Sequence, residues 1–165
     1  MTTVADTGRN ALNEMRRLLG VLRPTASSGD LTPQPGVHDI PELVAKVRGA
    51  GLPVTLVVDG RVAELPAGME LAAYRIVQEA LTNTLKHSGP GASANVALHY
   101  AVQQLTVHID DDGAGIHQPG DDADGQGLAG MRERATMYGG TLRAGRDIAG
   151  GFAVTAQFPL HASVV

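Results

Sequence analysis

Three clusters in this chain combine residue types and spacings suited to holding a charged, polar ligand. The first closes an alternating apolar stretch with Asp110-Asp111-Asp112-Gly113-Ala114-Gly115. Gly113 and Gly115 free the backbone to let a flat molecule come close, and an aspartate fixed beside them accepts a hydrogen bond from an amino group such as adenine carries. The second sits on a long helical pattern, where Arg75, Glu79, Asn83 and Lys86 share one side with His87 at its edge. Glu79 and Asn83 put a carboxylate and an amide oxygen one turn apart, which suits a magnesium ion that keeps several of its waters. The third, Gly125-Gln126-Gly127-Leu128-Ala129-Gly130, bares amides at the start of a helix expected from Leu128 to Tyr138. The positive end of a helix attracts phosphate. Each cluster also has a plainer reading: Asp-Asp-Gly at a strand end often makes a surface turn, and a polar helix stripe often faces solvent.

The elements that must position these clusters follow from apolar periodicity. Leu105, Val107 and Ile109 alternate as one face of a strand, and Ala94, Val96, Leu98 and Tyr100 do the same over residues 93–100, so the two are expected to pair antiparallel. A long helix is expected over Gly68 to His87, with Ala73, Tyr74, Val77, Ala80, Leu81 and Leu85 inward. Pro41 to Ala50 reads as a short helix with Leu43, Val44 and Val47 inward, stopped by Gly51 and followed by a strand from Pro53 to Val58. Asp59-Gly60 predicts a hairpin into a second strand at Arg61 to Leu65. Gly139-Gly140 starts a strand through Arg143, and Gly150-Gly151 another with Phe152, Val154, Ala156 and Phe158 inward. The expected fold class is α/β, a two-layer sandwich of a mixed, mostly antiparallel sheet with helices on one face.

Upstream, residues 7–23 carry Leu12, Met15, Leu18, Leu19 and Leu22 at helical spacing with four arginines on the polar side. Pro24 ends this amphipathic helix, and the Ser, Gly, Thr and Pro of the next residues mark a linker, so the helix is expected to project from the main domain. The organisation is therefore 1–23, a helix; 24–36, a linker; 37–165, the ligand-binding domain.

Composition removes several classes. At 165 residues, with 43% apolar and 18% charged residues, one globular domain is the default. The absence of cysteine excludes disulfides and thiolate metal sites, and the six histidines lack metal-ligand spacing. A net charge of −4 and few aromatics disfavour nucleic acid as a partner. No apolar run has the length of a membrane span, so a cytoplasmic location is expected, with room for an anchor in a longer parent. The glycine run imitates a dinucleotide fingerprint, but the polar residues 120–124 before it cannot form the required buried strand. Residues 110–124 hold six aspartates and no lysine or arginine, so a polyphosphate there needs a cation such as magnesium or the glycine-rich amides. The self-repelling loop from Ala114 to Asp124 is expected to order around such a ligand.

Taken in order, Arg75-Ile76-Val77-Gln78-Glu79-Ala80-Leu81-Thr82-Asn83-Thr84-Leu85-Lys86-His87-Ser88 resembles the N box of the ATP-binding domain of bacterial sensor histidine kinases, especially the NarL/DesK-like class. Asp111-Asp112-Gly113-Ala114-Gly115 resembles the first glycine box of that family, and Gly125 to Arg134 the second. The resemblance covers about residues 37–160 and implies the fold of the gyrase, heat-shock chaperone, histidine kinase and MutL superfamily. It implies ATP and Mg2+ as cofactors, with Asn83 on magnesium and Lys86 and His87 near the phosphates. Asp111 would take the adenine amino group beside Gly113 and Gly115. Gly125, Gly127, Leu128 and Gly130 would frame a lid, and Glu79 would be catalytic. Residues 7–23 resemble the end of a dimerisation helix, which implies a homodimeric parent, a phosphoacceptor histidine on a helix outside this chain and a downstream response regulator. His38-Asp39 copies the acceptor dipeptide, but Pro41 places it at a helix entrance. Phe152 departs from a family threonine. A stand-alone ATP-binding regulatory module and an anti-sigma-factor-type serine kinase are the alternatives, separated by whether a phosphoacceptor helix lies upstream in the gene.

Overall fold

The computed structural model describes residues 33–114, 122–148 and 150–160. The helix expected over 7–23, most of the linker and Gly115 lie outside the described residues, and so does the middle of the proposed lid.

Five strands form a sheet in the order β1-β2-β3-β5-β4: β1 (Val54–Gly60), β2 (Ala94–Ala101), β3 (Gln104–Asp111), β4 (Thr141–Arg146) and β5 (Phe152–Pro159). β1 runs parallel to β2, and the other pairings are antiparallel. Three helices pack on one face: α1 (Ile40–Gly49), α2 (Ala67–His87) and α3 (Asp122–Met137). This is the mixed, mostly antiparallel two-layer sandwich expected from the periodicity.

Register explains the core. Val96 stands opposite Ile109 and Leu98 opposite Val107, while Ile109 faces Val154 and Leu105 faces Phe158. All of these side chains are buried on the helix side, where α1 adds Ile40, Leu43, Val44 and Val47 and α2 adds Ala73, Ile76, Val77 and Leu81. The far face is polar: His108 Nδ1 lies 2.8 Å from Thr155 Oγ1 and Asn95 donates to Asp110 at 2.8 Å. One greasy and one wet face are what alternating antiparallel strands produce.

The expected hairpin at Asp59-Gly60 is not formed. β1 continues through both residues in parallel register with β2 as far as Gly60 opposite Tyr100, and residues 61–66 have no regular structure. Gly60 adopts φ +85, and a Cβ there would collide with the Tyr100 carbonyl oxygen, so the glycine serves close strand approach rather than a reversal. Val62, in the segment expected to return as a strand, is 64% exposed.

α3 also departs from expectation by beginning at Asp122 instead of Leu128, so that Gly125, Gly127 and Gly130 lie inside the helix. Their amides therefore join the helical ladder from Gly127 onward rather than opening it. Tertiary contact outweighs the poor helix propensity of glycine, about 1 kcal/mol each relative to alanine. Gly127 packs against Glu79, and Tyr138, just past the helix end, packs against Gly68. α3 thus runs antiparallel to α2 and lays its first turns over the C-terminal half of α2.

Candidate functional site

The site lies where the C-terminal half of α2 crosses the ends of β3 and β5. A pocket there is lined by Ala80, Asn83, Thr84, His87, Ser88, Ile109, Asp111, Leu128, Phe152 and Val154. Its walls are apolar, and Asp111 is the carboxylate among them.

Strand alternation selects Asp111 from the three consecutive aspartates. Leu105, Val107 and Ile109 face the helices, so the next residue of that parity, Asp111, also does. Asp110 points to the wet face, where it takes the hydrogen bond from Asn95 and lies 3.3 Å from His108 Nε2. Asp112 turns outward to accept from the Ser93 amide at 2.6 Å and the Ser93 hydroxyl at 2.8 Å. Those bonds, the amide's first, hold the Asp112 carboxyl below the ordinary aspartate value. Asp112 therefore fastens the sheet edge, leaving Asp111 to face a ligand.

Two donors orient Asp111. The Gly113 amide donates to Oδ1 at 3.0 Å, and the Thr84 hydroxyl lies 3.2 Å from Oδ2. The same hydroxyl is 3.1 Å from the Ala80 carbonyl oxygen, the usual partner of a threonine inside a helix. With one proton and two acceptors, donation to Ala80 leaves two oxygens facing each other, so the ionised carboxylate draws the proton to itself. Gly113 is pressed onto Ser88 at the end of α2, and a Cβ there would strike the Ser88 backbone. That close approach brings the loop after β3 down to α2 and sets the depth of Asp111.

Glu79 and Asn83 meet at the start of α3. A Cβ built on Gly127 would lie 2.7 Å from Glu79 Oε1 and 3.8 Å from Asn83 Nδ2, so the magnesium-type pair flanks the pocket beneath the glycine-bearing turns. The cavity itself is about 30 Å³, room for a water or two and not for a purine, and Leu128 of α3 is part of its lining. The lining chemistry fits adenine: apolar walls for two flat faces and one oriented carboxylate for the amino group.

Of the residues singled out by sequence, the structure gathers Asn83, His87, Asp111 and Leu128 around the pocket, with Glu79, Gly113 and Gly127 beside it. Lys86 is exposed and does not line the pocket; Gly125 is exposed and Gly130 lies against Arg134. Sequence reasoning missed Thr84, although a hydroxyl within the otherwise apolar row Ala73, Val77, Ala80, Thr84 was a usable signal.

Comparison with known proteins agrees with this geometry. The profile of the histidine kinase-, DNA gyrase B-, and HSP90-like ATPase family matches residues 68–162. The chain is 34% identical over 113 residues to the sensor histidine kinase LnrJ of Bacillus subtilis, covering 68% of this chain and 27% of LnrJ. It is 35% identical over 131 residues to the signal transduction histidine-protein kinase/phosphatase UhpB of Salmonella typhimurium, covering 78% and 25%. It is 35% identical over 130 residues to the sensor protein VraS of Staphylococcus saprophyticus, covering 78% and 35%. The chain thus spans about a quarter to a third of the length of these relatives. Among solved structures, the histidine kinase domain from the Erythrobacter litoralis EL346 blue-light activated histidine kinase aligns with TM-score 0.58 and 22% identity over 95% of this chain and 83% of that one. The Acinetobacter baumannii histidine kinase AdeS aligns with TM-score 0.60 and 15% identity over 93% and 77%, a likeness of fold. The chain belongs to the histidine kinase-, DNA gyrase B-, and HSP90-like ATPase family, as an ATP-binding domain homologous to the catalytic domains of histidine kinases.

Proposed function

We propose that this chain is the ATP-binding catalytic part of a cytoplasmic two-component sensor histidine kinase, donating the γ-phosphate of ATP to a histidine on a dimerisation helix that the described residues do not include. The parent works as a homodimer and hands the phosphoryl group to a response regulator. The observation that carries this reading is the Asp111 carboxylate, oriented by Thr84 and Gly113 inside an apolar pocket flanked by Glu79 and Asn83.

When bound, ATP supplies the phosphoryl group and magnesium neutralises the phosphate oxygens. Asp111 accepts the hydrogen bond of the adenine amino group, and Ile109, Phe152 and Val154 keep water from the ring. Asn83 contributes its amide oxygen to magnesium, and Glu79, one turn away, takes the catalytic place at the reacting end. His87 borders the pocket toward the phosphates, with Lys86 following on the exposed side of α2. Gly125, Gly127 and Gly130 let the start of α3 rise and return.

His38 is a poor acceptor. It sits in a short turn at Val37–Asp39 ahead of Pro41, its imidazole engaged by Asp39 at 3.3 Å and Glu70 at 3.6 Å. Phosphoryl transfer depends on positioning, so a histidine at that place gives no useful rate. Incubation with radiolabelled ATP and a separate phosphoacceptor helix hairpin is expected to place acid-labile label on the hairpin and none on this chain alone. Acid-labile label on this chain alone, abolished by His38→Ala, overturns the reading.

A further inference from the structure

A second cavity lies at the opposite end of α2 and shares no lining residue with the first. It measures about 300 Å³, tenfold the volume of the closed pocket, and its lining includes Val37, His38, Val58, Val62, Glu70 and Tyr100. Glu64 and Leu98 complete the polar and apolar sides.

Tyr100 marks it as a binding site. The residue is 5% exposed, and its phenol has no hydrogen-bond partner among the described residues. Yet no fully buried side-chain oxygen is left unpaired there, so the hydroxyl must reach the cavity. A phenol held on the wall of a cavity with no protein partner among the described residues offers its hydroxyl to a polar group there. Burial, followed by the charge of Glu70, pushes the phenol pKa up, so it remains a neutral hydroxyl whose oxygen can accept.

The charge of the lining selects the ligand. Glu64 and Glu70 are on the wall, and Asp39 stands behind His38. Among the lining residues the balancing cation is the His38 imidazole when it is protonated, shared between Asp39 and Glu70. Among the described residues no three such groups converge closely enough to hold a metal ion. A cation that carries its own N–H donors suits the spaced carboxylates and the Tyr100 hydroxyl, and the apolar wall of Val37, Val58, Val62 and Leu98 suits an aliphatic stem behind it. Val58 is 49% and Val62 64% exposed, so apolar surface continues beyond the mouth. That continuation favours a protein segment over a free small cation.

We propose that this cavity is a docking site for a partner protein, admitting the cationic end of an arginine or lysine to Glu70 and Tyr100 while apolar neighbours of that residue cover Val58 and Val62.

The test uses the 15N-labelled full chain titrated with the blocked tripeptide Val-Arg-Val, its neutral counterpart Val-Gln-Val, and argininamide. Val-Arg-Val is expected to shift the amides of residues 58–64, Glu70 and Tyr100. Binding should weaken about tenfold with Val-Gln-Val and about tenfold in Glu70→Gln, the loss of one charge-assisted contact. Val62→Ser, at an exposed position, should weaken the peptide and leave argininamide unchanged, while ATP affinity stays at its wild-type value in both variants. Equal affinity for the charged and neutral peptides, or an unaltered Glu70→Gln, overturns the cation assignment. Argininamide binding as tightly as Val-Arg-Val, or no shift with any probe, overturns protein docking.

Discussion

The two ends of α2 hold opposite kinds of cavity. At the C-terminal end, largely apolar walls that include Leu128 surround one oriented carboxylate and enclose about 30 Å³. At the N-terminal end, two carboxylates, Glu64 and Glu70, and the Tyr100 phenol line about 300 Å³ that no described residue fills. A lone carboxylate with its geometry fixed by Thr84 and Gly113 suits the hydrogen-bonding edge of a neutral ring, because direction matters there and net charge does not. Loosely spaced carboxylates toward solvent read charge, because direction matters little. The surroundings differ too: the glycine-bearing start of α3 borders the first cavity through Leu128, whereas the second is bordered by Val58 of β1 and by Val62 and Glu64 of the irregular segment after it.

Variants break this contrast in graded ways. Asp111→Ala should weaken ATP binding by roughly ten- to a hundredfold, about 1–3 kcal/mol, and level the ratio of ATP to GTP affinity; the Val-Arg-Val peptide should bind as before. Calorimetric titration with both nucleotides checks this, and an unaltered ratio means the base is read elsewhere. Asn83→Ala should lower ATP affinity about tenfold with magnesium present and little without it, since a charge-assisted contact of about 1.5 kcal/mol is lost. Thr84→Val removes the hydroxyl that orients Asp111 while keeping the side-chain shape. It should weaken ATP binding roughly three- to tenfold, and Thr84→Ser should restore it. Gly127→Ala brings a Cβ against Glu79 Oε1, the end of a flexible side chain that can swing aside, while alanine strengthens the helix by up to about 1 kcal/mol. The start of α3 is then harder to lift, so hydrogen exchange over residues 125–130 should slow and ATP affinity fall by up to about fivefold.

The smallest effect lies outside both cavities. Ser93→Ala removes the hydroxyl bond to Asp112, whose folded pKa is depressed by Ser93, and should raise that pKa toward the ordinary value without changing ATP affinity. A depressed carboxylate stabilises the fold at pH above its unfolded value, about 3.9, and that contribution disappears as pH falls through the folded value. The stability difference between wild type and Ser93→Ala should therefore be present at neutral pH and close in acid. Carboxyl-carbon NMR titration with acid unfolding measures both.

Much of the fold was legible because its elements are periodic. Leu105-Val107-Ile109 and Ala94-Val96-Leu98-Tyr100 face inward as their alternation requires, and the same alternation carries Asp111 to the helix side. Legibility failed where a distant partner overruled a local signal. Asp59-Gly60 looks like a turn, but parallel pairing with β2 keeps it in the strand, and the glycines of α3 look like the approach to a helix although the helix already runs through them, with Gly127 close against the Glu79 carboxylate. Lys86, grouped with Asn83 by helical angle, ends up exposed because the pocket forms on the side of α2 nearer Thr84 and His87. The second cavity had no local pattern at all: Tyr100 comes from β2, Glu70 from α2, His38 from the turn before α1 and Val62 from the segment after β1. Three-dimensional coincidence of that kind leaves no periodic trace.

The most direct measurement of the central claim is a set of nuclear Overhauser contacts from the adenine H2 and H8 protons in the magnesium–ATP complex of the methyl-labelled chain. Contacts to the methyls of Ile109 and Val154, with altered shifts at Leu128, are expected if the base lies beside Asp111 under a lifted α3. Contacts to Val58 and Val62, or a bound base that leaves Ile109, Val154 and Leu128 untouched, would contradict the account.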